Sequence, residues 1–228
     1  MTTLTSDKLV EKKASRRFLP ALENGDHLTQ IEFSEIYRQR PDIKKAELIE
    51  GVVFMASPVS LFHGSPHMRF SGLLVQYAAN TPGLEMADNT SLVLDADNEV
   101  QPDLCLWRVT GGRVEVTTDG TLIGAPELVV EIAHTSSSID LHEKFRAYRR
   151  NGVQEYVVFE VKGQKTHWFS LQEGRYVNLL EDDGILRSKV FPGLWFAPAP
   201  FWEGDLKGML KALQAGLDSP EHAAFIVP

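Results

Sequence analysis

The stretch Glu127-Leu-Val-Val-Glu-Ile-Ala133 decides how this sequence folds. Glu131 apart, its interior is apolar, the pattern of a central strand covered on both faces. Ser136-Ser-Ser138 then offers N-cap residues, Ile139 to Asn151 follows as a helix, and Gly152 stands at the C′ position that ends it. Val153 to Val161 resumes as a strand. Strand, helix and strand in succession predict an α/β domain.

Upstream, Thr29-Gln-Ile-Glu32 is a capping box opening a short helix with Ile31, Phe33 and Ile36 as its apolar set. Glu47 to Ala56 reads as a strand, or a tight strand pair bent at Gly51. Ser60 to Asn80 predicts a helix with Pro66 in its first turn and Met68, Phe70, Leu73, Leu74 and Tyr77 as a buried stripe. Two strands are expected over Thr90–Leu94 and Val100–Trp107, joined by Asp95-Ala-Asp-Asn98. Gly111-Gly112 and Asp119-Gly120 mark hairpin turns in a polar insertion. Downstream, His167–Leu171 is a strand, Tyr176–Leu180 and Val190–Phe196 are edge strands, and Asp205–Leu217 is a terminal amphipathic helix. Residues 1–26 are polar and aperiodic and read as a loose arm. Residues 27–228 are read as one domain, with a core over about 28–196 and a C-terminal extension over 197–228.

At 228 residues the chain is long enough to bury a sizeable core without staples. Its single cysteine, Cys105, excludes a disulfide framework and a cysteine-built zinc cluster, and fits a reducing compartment. No apolar run approaches a membrane span, and the first twenty residues hold no apolar stretch of the signal-peptide kind. A cytoplasmic protein without membrane contact is the expectation. The formal net charge of −8 is unlike that of a general polyanion binder, so contact with nucleic acid must be local or assisted by a cation.

The acids carry the chemistry. A carboxylate in a central strand, such as Glu131, is costly to desolvate unless it is paired or holds a metal. Asp103 follows Pro102 just ahead of the apolar run Leu104–Trp107, and could equally be a turn residue. If the two strands are neighbours, both carboxylates can meet one hard cation, and Mg²⁺ suits such a donor set. Lys144 lies in the helix after the Glu131 strand, where an ammonium could pair with a phosphate. Asp140 and Tyr148 flank it one turn away on the same face. Arg146, Arg149 and Arg150 form a basic cluster beside Lys144, read either as a solvated face or as a clamp on phosphates. His63 and His67 are four apart, but Pro66 lies between them and the segment carries no acid, so a zinc site is not expected there.

Pro102-Asp103 followed by Glu131-Ile-Ala133 resembles the PD-(D/E)xK nuclease superfamily. More narrowly, Glu47-Leu-Ile-Glu-Gly51, Met55-Ala-Ser-Pro58, His63, Pro102-Asp103, Glu127-Leu-Val-Val-Glu131, Asp140, Lys144, Tyr148 and Gly152-Val-Gln-Glu-Tyr156 look like the Uma-type restriction-endonuclease family of bacteria. The match runs in order from about Leu28 to about Phe196. The resemblance implies a restriction-endonuclease-like α/β core, a mixed β-sheet flanked by helices, here with extra C-terminal strands and a helix. It implies Mg²⁺- or Mn²⁺-dependent hydrolysis of DNA phosphodiester bonds. It places Asp103, Glu131 and the Ile132 carbonyl at the metal, Glu47 as a supporting acid, and Lys144 as the basic residue. His63, Asp140, Tyr148 and Arg146 are candidates to lie beside the substrate, Tyr148 with core packing as the favoured alternative and Arg146 on its place in the basic cluster rather than on the resemblance. The sequence departs from the superfamily pattern at Ala133, where a lysine is usual. That departure and the acidic charge leave room for a catalytically idle, nucleic-acid-binding protein. A homodimer built through Phe191, Leu194, Trp195, Phe196, Phe201 and Trp202 is a further reading, compatible with nuclease activity.

Overall fold

A computed structural model describes residues 21–56 and 58–226 of the chain. Its elements run α1 (Gln30–Arg38), β1 (Ala46–Ile49), β2 (Val52–Met55), α2 (Leu61–Ala79), β3 (Leu84–Asp88), β4 (Leu92–Asp95), β5 (Asn98–Val100) and β6 (Leu104–Arg108). Then come β7 (Glu115–Val116), β8 (Leu122–Ile123), β9 (Leu128–Ala133), α3 (Ser137–Leu141), α4 (Glu143–Asn151), β10 (Glu155–Glu160), β11 (Lys165–Gln172) and β12 (Arg175–Asn178). The C-terminal part holds β13 (Leu186–Arg187), β14 (Trp195–Phe196), α5 (Pro198–Glu203), α6 (Leu206–Leu217) and α7 (Pro220–Phe225).

The main sheet has the order β12-β11-β10-β9-β6-β3. Only β9 and β10 run parallel in it, with Glu131 beside Val158. A parallel pair needs a crossover, and α3 with α4 supplies it. β9 is buried along its whole length, as its apolar run requires. Leu128, Val130 and Ile132 face one cluster with Phe70, Leu73, Leu74 and Tyr77 of α2. Val129 and Ala133 face the other, with Tyr148 of α4 and Tyr156 of β10. The period of two therefore aims Glu131 at the α3–α4 side. A second sheet, β2-β1-β5-β4-β8-β7, packs α1 through Phe33, Leu48 and Val53.

The mixed α/β sheet flanked by helices is as the sequence leads one to expect, and several local expectations change. The single strand expected over Val100–Trp107 is two strands in different sheets, and the chain crosses between them at Gln101-Pro-Asp103. Pro66 lies at the sixth residue of α2 rather than in the first turn. The helix expected over Ile139–Asn151 is broken at His142, whose backbone (φ −126°, ψ −70°) leaves the helical region. Only Trp195–Phe196 of Val190–Phe196 is strand.

Of the arm expected over residues 1–26, residues 1–20 lie outside the described part. Residues 21–26 are not loose: the Gly25 N–H donates to the Val53 carbonyl (2.8 Å), the Val53 N–H to Asp26 (2.8 Å), and Leu22 is buried. Of the C-terminal extension expected over 197–228, residues 197–226 are described, and Phe201, Met209 and Leu213 are buried in the α2 core cluster. Phe191, Leu194, Phe196 and Phe201 are core residues, at most 1% exposed. They offer no dimer surface. Their apolar clustering reports burial against α2, which the sequence alone cannot distinguish from burial against a partner.

Candidate active site

The sheet crossing makes the site. β6 and β9 pair from Leu106–Leu128 to Leu104–Val130, and then the ladder stops. The next rung would place Pro102 opposite Ile132. Proline has no N–H to give the Ile132 carbonyl. The Pro102 carbonyl turns instead to the Asn89 N–H (3.0 Å). The Ile132 N–H is left for a side chain, and Asp103 Oδ2 accepts it at 2.7 Å. The carbonyl of Ile132 is thus without a ladder donor from β6, beside an acid. At the same crossing the Gln101 N–H donates to Glu47 Oε1 (2.7 Å), tying β1 of the second sheet to the main one. By the same register Asp103 stands across from Glu131, on the same face.

Lys144 closes the cluster from α4. Its Nζ lies 2.9 Å from Glu131 Oε1, 2.9 Å from Glu47 Oε1 and 3.8 Å from Asp140 Oδ1. Ala133 shares Glu131's face of β9, so the lysine usual at that position is absent and an ammonium from the following helix pairs with the acid instead. The Tyr148 hydroxyl donates to the same Glu131 oxygen (2.8 Å) from within the core. The Ser136 hydroxyl donates to Asp140. His63 Nε2 reaches Asp103 Oδ2 at 3.1 Å, and His67 Nε2 donates to the Asp103 carbonyl (3.0 Å). Both histidines meet Asp103, which the sheet crossing brings to them, His63 at its carboxylate and His67 at its backbone carbonyl.

All of these polar groups but Tyr148 line a cleft of about 310 Å³, with the Phe62 ring stacked on His134 nearby. Burial pushes the Glu131 carboxyl up, and although Lys144 opposes this, Asp103, Asp140 and Glu47 reinforce it. Burial pushes Asp140 up as well, against Lys144 and Ser136. Burial would also raise Asp103, but the hydrogen bond from His63, the charge of Lys45 and the Ile132 N–H together hold it well below the usual carboxylate range. Burial works against the Lys144 charge, yet Glu131, Glu47 and Asp140 hold it well above the ordinary lysine value.

Two of the expected site residues stand apart from the cleft. Arg146 is a surface residue paired with Glu143 (3.4 Å). Tyr148 is fully buried behind Glu131 and touches the acid rather than the opening. The other arginines of that helix are taken up within the fold: Arg150 pairs with Glu50 (2.8 Å) and Asp95 (3.0 Å), and Arg149 donates to the Gly174 carbonyl (3.0 Å). Lys45 was missed. Its Nζ lies 3.6 Å from Asp103 Oδ1 and 3.0 Å from Asn89 Oδ1, at the cleft wall. The available signal was its spacing of two from Glu47, which puts both on one side of the entry to β1.

Among the described residues no three His, Cys, Asp or Glu side chains are gathered into a cage for a metal ion. Carboxylate oxygens from Asp103 and Glu131, beside a carbonyl without a ladder donor from β6, are by type a hard-oxygen set, which fits a Mg²⁺ that keeps several of its waters.

A buried acid cluster at the broken end of a sheet, held by a helix-borne lysine, sits in an α/β fold of the nuclease type. The chain belongs to the Uma2 family, whose description reads "Putative restriction endonuclease", matched over residues 32–199. A crystal structure titled as a putative nuclease of the DUF820 group from Anabaena variabilis matches with a TM-score of 0.59 at 13% identity, over 74% of this chain and 96% of that one. At that identity the likeness is one of fold. No curated protein matches the sequence.

Proposed function

We propose that this protein is a metal-dependent endonuclease that hydrolyses phosphodiester bonds of DNA. The observation that carries the reading is the convergence of Glu47, Asp103, Glu131 and Lys144 on one cleft from four separate elements or connections. Family membership supports a nucleic-acid substrate. Asp103, Glu131 and the Ile132 carbonyl would hold Mg²⁺ or Mn²⁺, which when bound supplies a more acidic water and neutralises charge on the scissile phosphate. Asp103, fixed by Ile132 and His63, presents one oxygen in a set position. Lys144 holds the Glu47 and Glu131 carboxyls together, 2.9 Å from one oxygen of each. Tyr148 orients the Glu131 carboxylate from behind. Hydrolysis consumes one water, breaks one P–O bond and leaves a phosphate on one end and a hydroxyl on the other.

Cleavage of plasmid and oligonucleotide DNA is expected with Mg²⁺ or Mn²⁺ and not with EDTA. Asp103→Ala and Glu131→Ala are each expected to lower the rate by at least about 100-fold, the scale of losing one charge-stabilising group. Undiminished cleavage by either variant would remove the assignment. The competing reading is a catalytically idle nucleic-acid-binding protein. It draws on the Lys144 ammonium being occupied by three acids and on the net charge of −8. Calorimetric Mn²⁺ uptake by the protein, abolished in Asp103→Asn, separates the two. A homodimer would suit cutting both strands of a duplex, and Phe191, Leu194, Phe196 and Phe201, buried within the subunit, would not form its surface.

A further inference from the structure

We infer that Lys45, rather than Lys144, is the cation that touches the substrate, binding a non-bridging oxygen of the phosphate that enters the cleft. The inference rests on the nuclease reading and assigns a contact residue within it.

Elimination leads there. Among the described residues that line the cleft, Lys45 and Lys144 are the only lysines or arginines. Lys144 is enclosed, its side chain 4% exposed, and its ammonium already faces Glu47, Glu131 and Asp140. An ammonium has three N–H donors, and two of these carboxylates stand at hydrogen-bond distance with the third just beyond. To reach a phosphate, Lys144 would have to leave buried acids uncompensated, which is strongly unfavourable. The Lys45 side chain is 22% exposed. Among the described residues its nearest partner is a neutral amide, Asn89 Oδ1 at 3.0 Å, and its ion pair with Asp103 Oδ1 is longer, at 3.6 Å. It therefore keeps donor capacity toward the cleft. The arginines of α4 offer no substitute, since Arg146, Arg149 and Arg150 all have partners outside the cleft. His63 and His67 each direct Nε2 at Asp103. Lys45 also stands next to Asp103, so a phosphate held by it lies beside the oxygens assigned to the cation. Asn89, in a left-handed turn (φ +46°), sets where the lysine tip rests.

The test compares the full-length protein with Lys45→Gln and Lys45→Arg, two readouts each. In Mn²⁺, Lys45→Gln is expected to lower kcat/KM on an oligonucleotide at least 50-fold, with the circular-dichroism spectrum of the folded protein retained, and Lys45→Arg to recover most of the loss. In EDTA, anisotropy with a fluorescent single-stranded oligonucleotide is expected to show weaker binding by Lys45→Gln. The slope of log affinity against log salt should fall by about 0.7, the value for one phosphate contact on a single strand. If the wild type cleaves and Lys45→Gln cleaves and binds as well, the assignment to Lys45 is overturned while the nuclease reading stands. If the wild type binds without cleaving and Lys45→Gln loses the salt-slope increment, the nuclease reading fails and the phosphate contact survives. If the wild type neither binds nor cleaves, both fall.

Discussion

At the residue scale, Lys144 illustrates how one side chain can be indispensable to a site without facing its substrate. Its charge offsets that of three acids in a place where each alone would be costly. Lys144→Met removes that charge and leaves the acids buried, so unfolding by denaturant should show a loss of about 3–5 kcal/mol, the usual cost of breaking a buried pair. Cys105 sits on the other side of the ledger: it is 1% exposed and burial pushes its thiol up to about 12. Because thiolate is the reactive form, a disulfide reagent at pH 8 should leave the folded protein unlabelled and react with one equivalent once denaturant unfolds it. Prompt labelling of the native protein would show that the β6 region opens.

At the element scale, the decisive feature is a ladder that stops. Pro102 ends the β6–β9 pairing, Asp103 accepts from the vacated N–H of Ile132, and the Ile132 carbonyl is left without a ladder donor from β6. Pro102→Ala would return an N–H to that edge and offer the carbonyl a competing partner. Divalent-cation affinity should fall by about 5-fold, the effect of one hydrogen bond of about 1 kcal/mol, with folding stability retained. Calorimetric titration with Mn²⁺ checks this, and an unchanged affinity would mean that the carbonyl takes no part. The break at His142 belongs to the same scale. It separates α3, which brings Asp140, from α4, which brings Lys144.

At the scale of the whole molecule, two sheets meet at one crossing, and their acids meet with them. Glu47 comes from the second sheet, Asp103 from the crossing and Glu131 from the main sheet. Four acids against two ammoniums line the cleft: Glu47, Asp103, Glu131 and Asp140 with Lys45 and Lys144. A divalent cation bound there stabilises only the folded chain. A concentration of 100 times its dissociation constant should add about 2.7 kcal/mol. The thermal midpoint should therefore rise with Mg²⁺ or Mn²⁺ relative to EDTA, and Asp103→Asn should not show the rise. Among the described residues no helix is long and apolar enough to cross a membrane.

How far the site could be read from the chain varies residue by residue. Glu131 was legible because a charge in an apolar run is conspicuous, and the capping box Thr29–Glu32 because its two reciprocal hydrogen bonds need only four consecutive residues. Asp103, Glu47 and Lys144 became legible through the ordered family resemblance. Lys45 and the service of His67 to the Asp103 backbone were not, since neither residue differs locally from a surface lysine or a helix histidine. Arg146 lies away from the cleft because a helix of period 3.6 carries neighbours of Lys144 round to solvent.

The amino-acid order by itself determined what depends on near neighbours: the buried strand at Leu128–Ala133, the helix ends, the apolar stripe of α2 and the family. The folded arrangement alone decided which acid meets which base, because those meetings join residues far apart along the chain, and their distances follow from how two sheets cross at Pro102. Local patterning fixes which way a side chain points from its own element; only packing fixes what stands opposite.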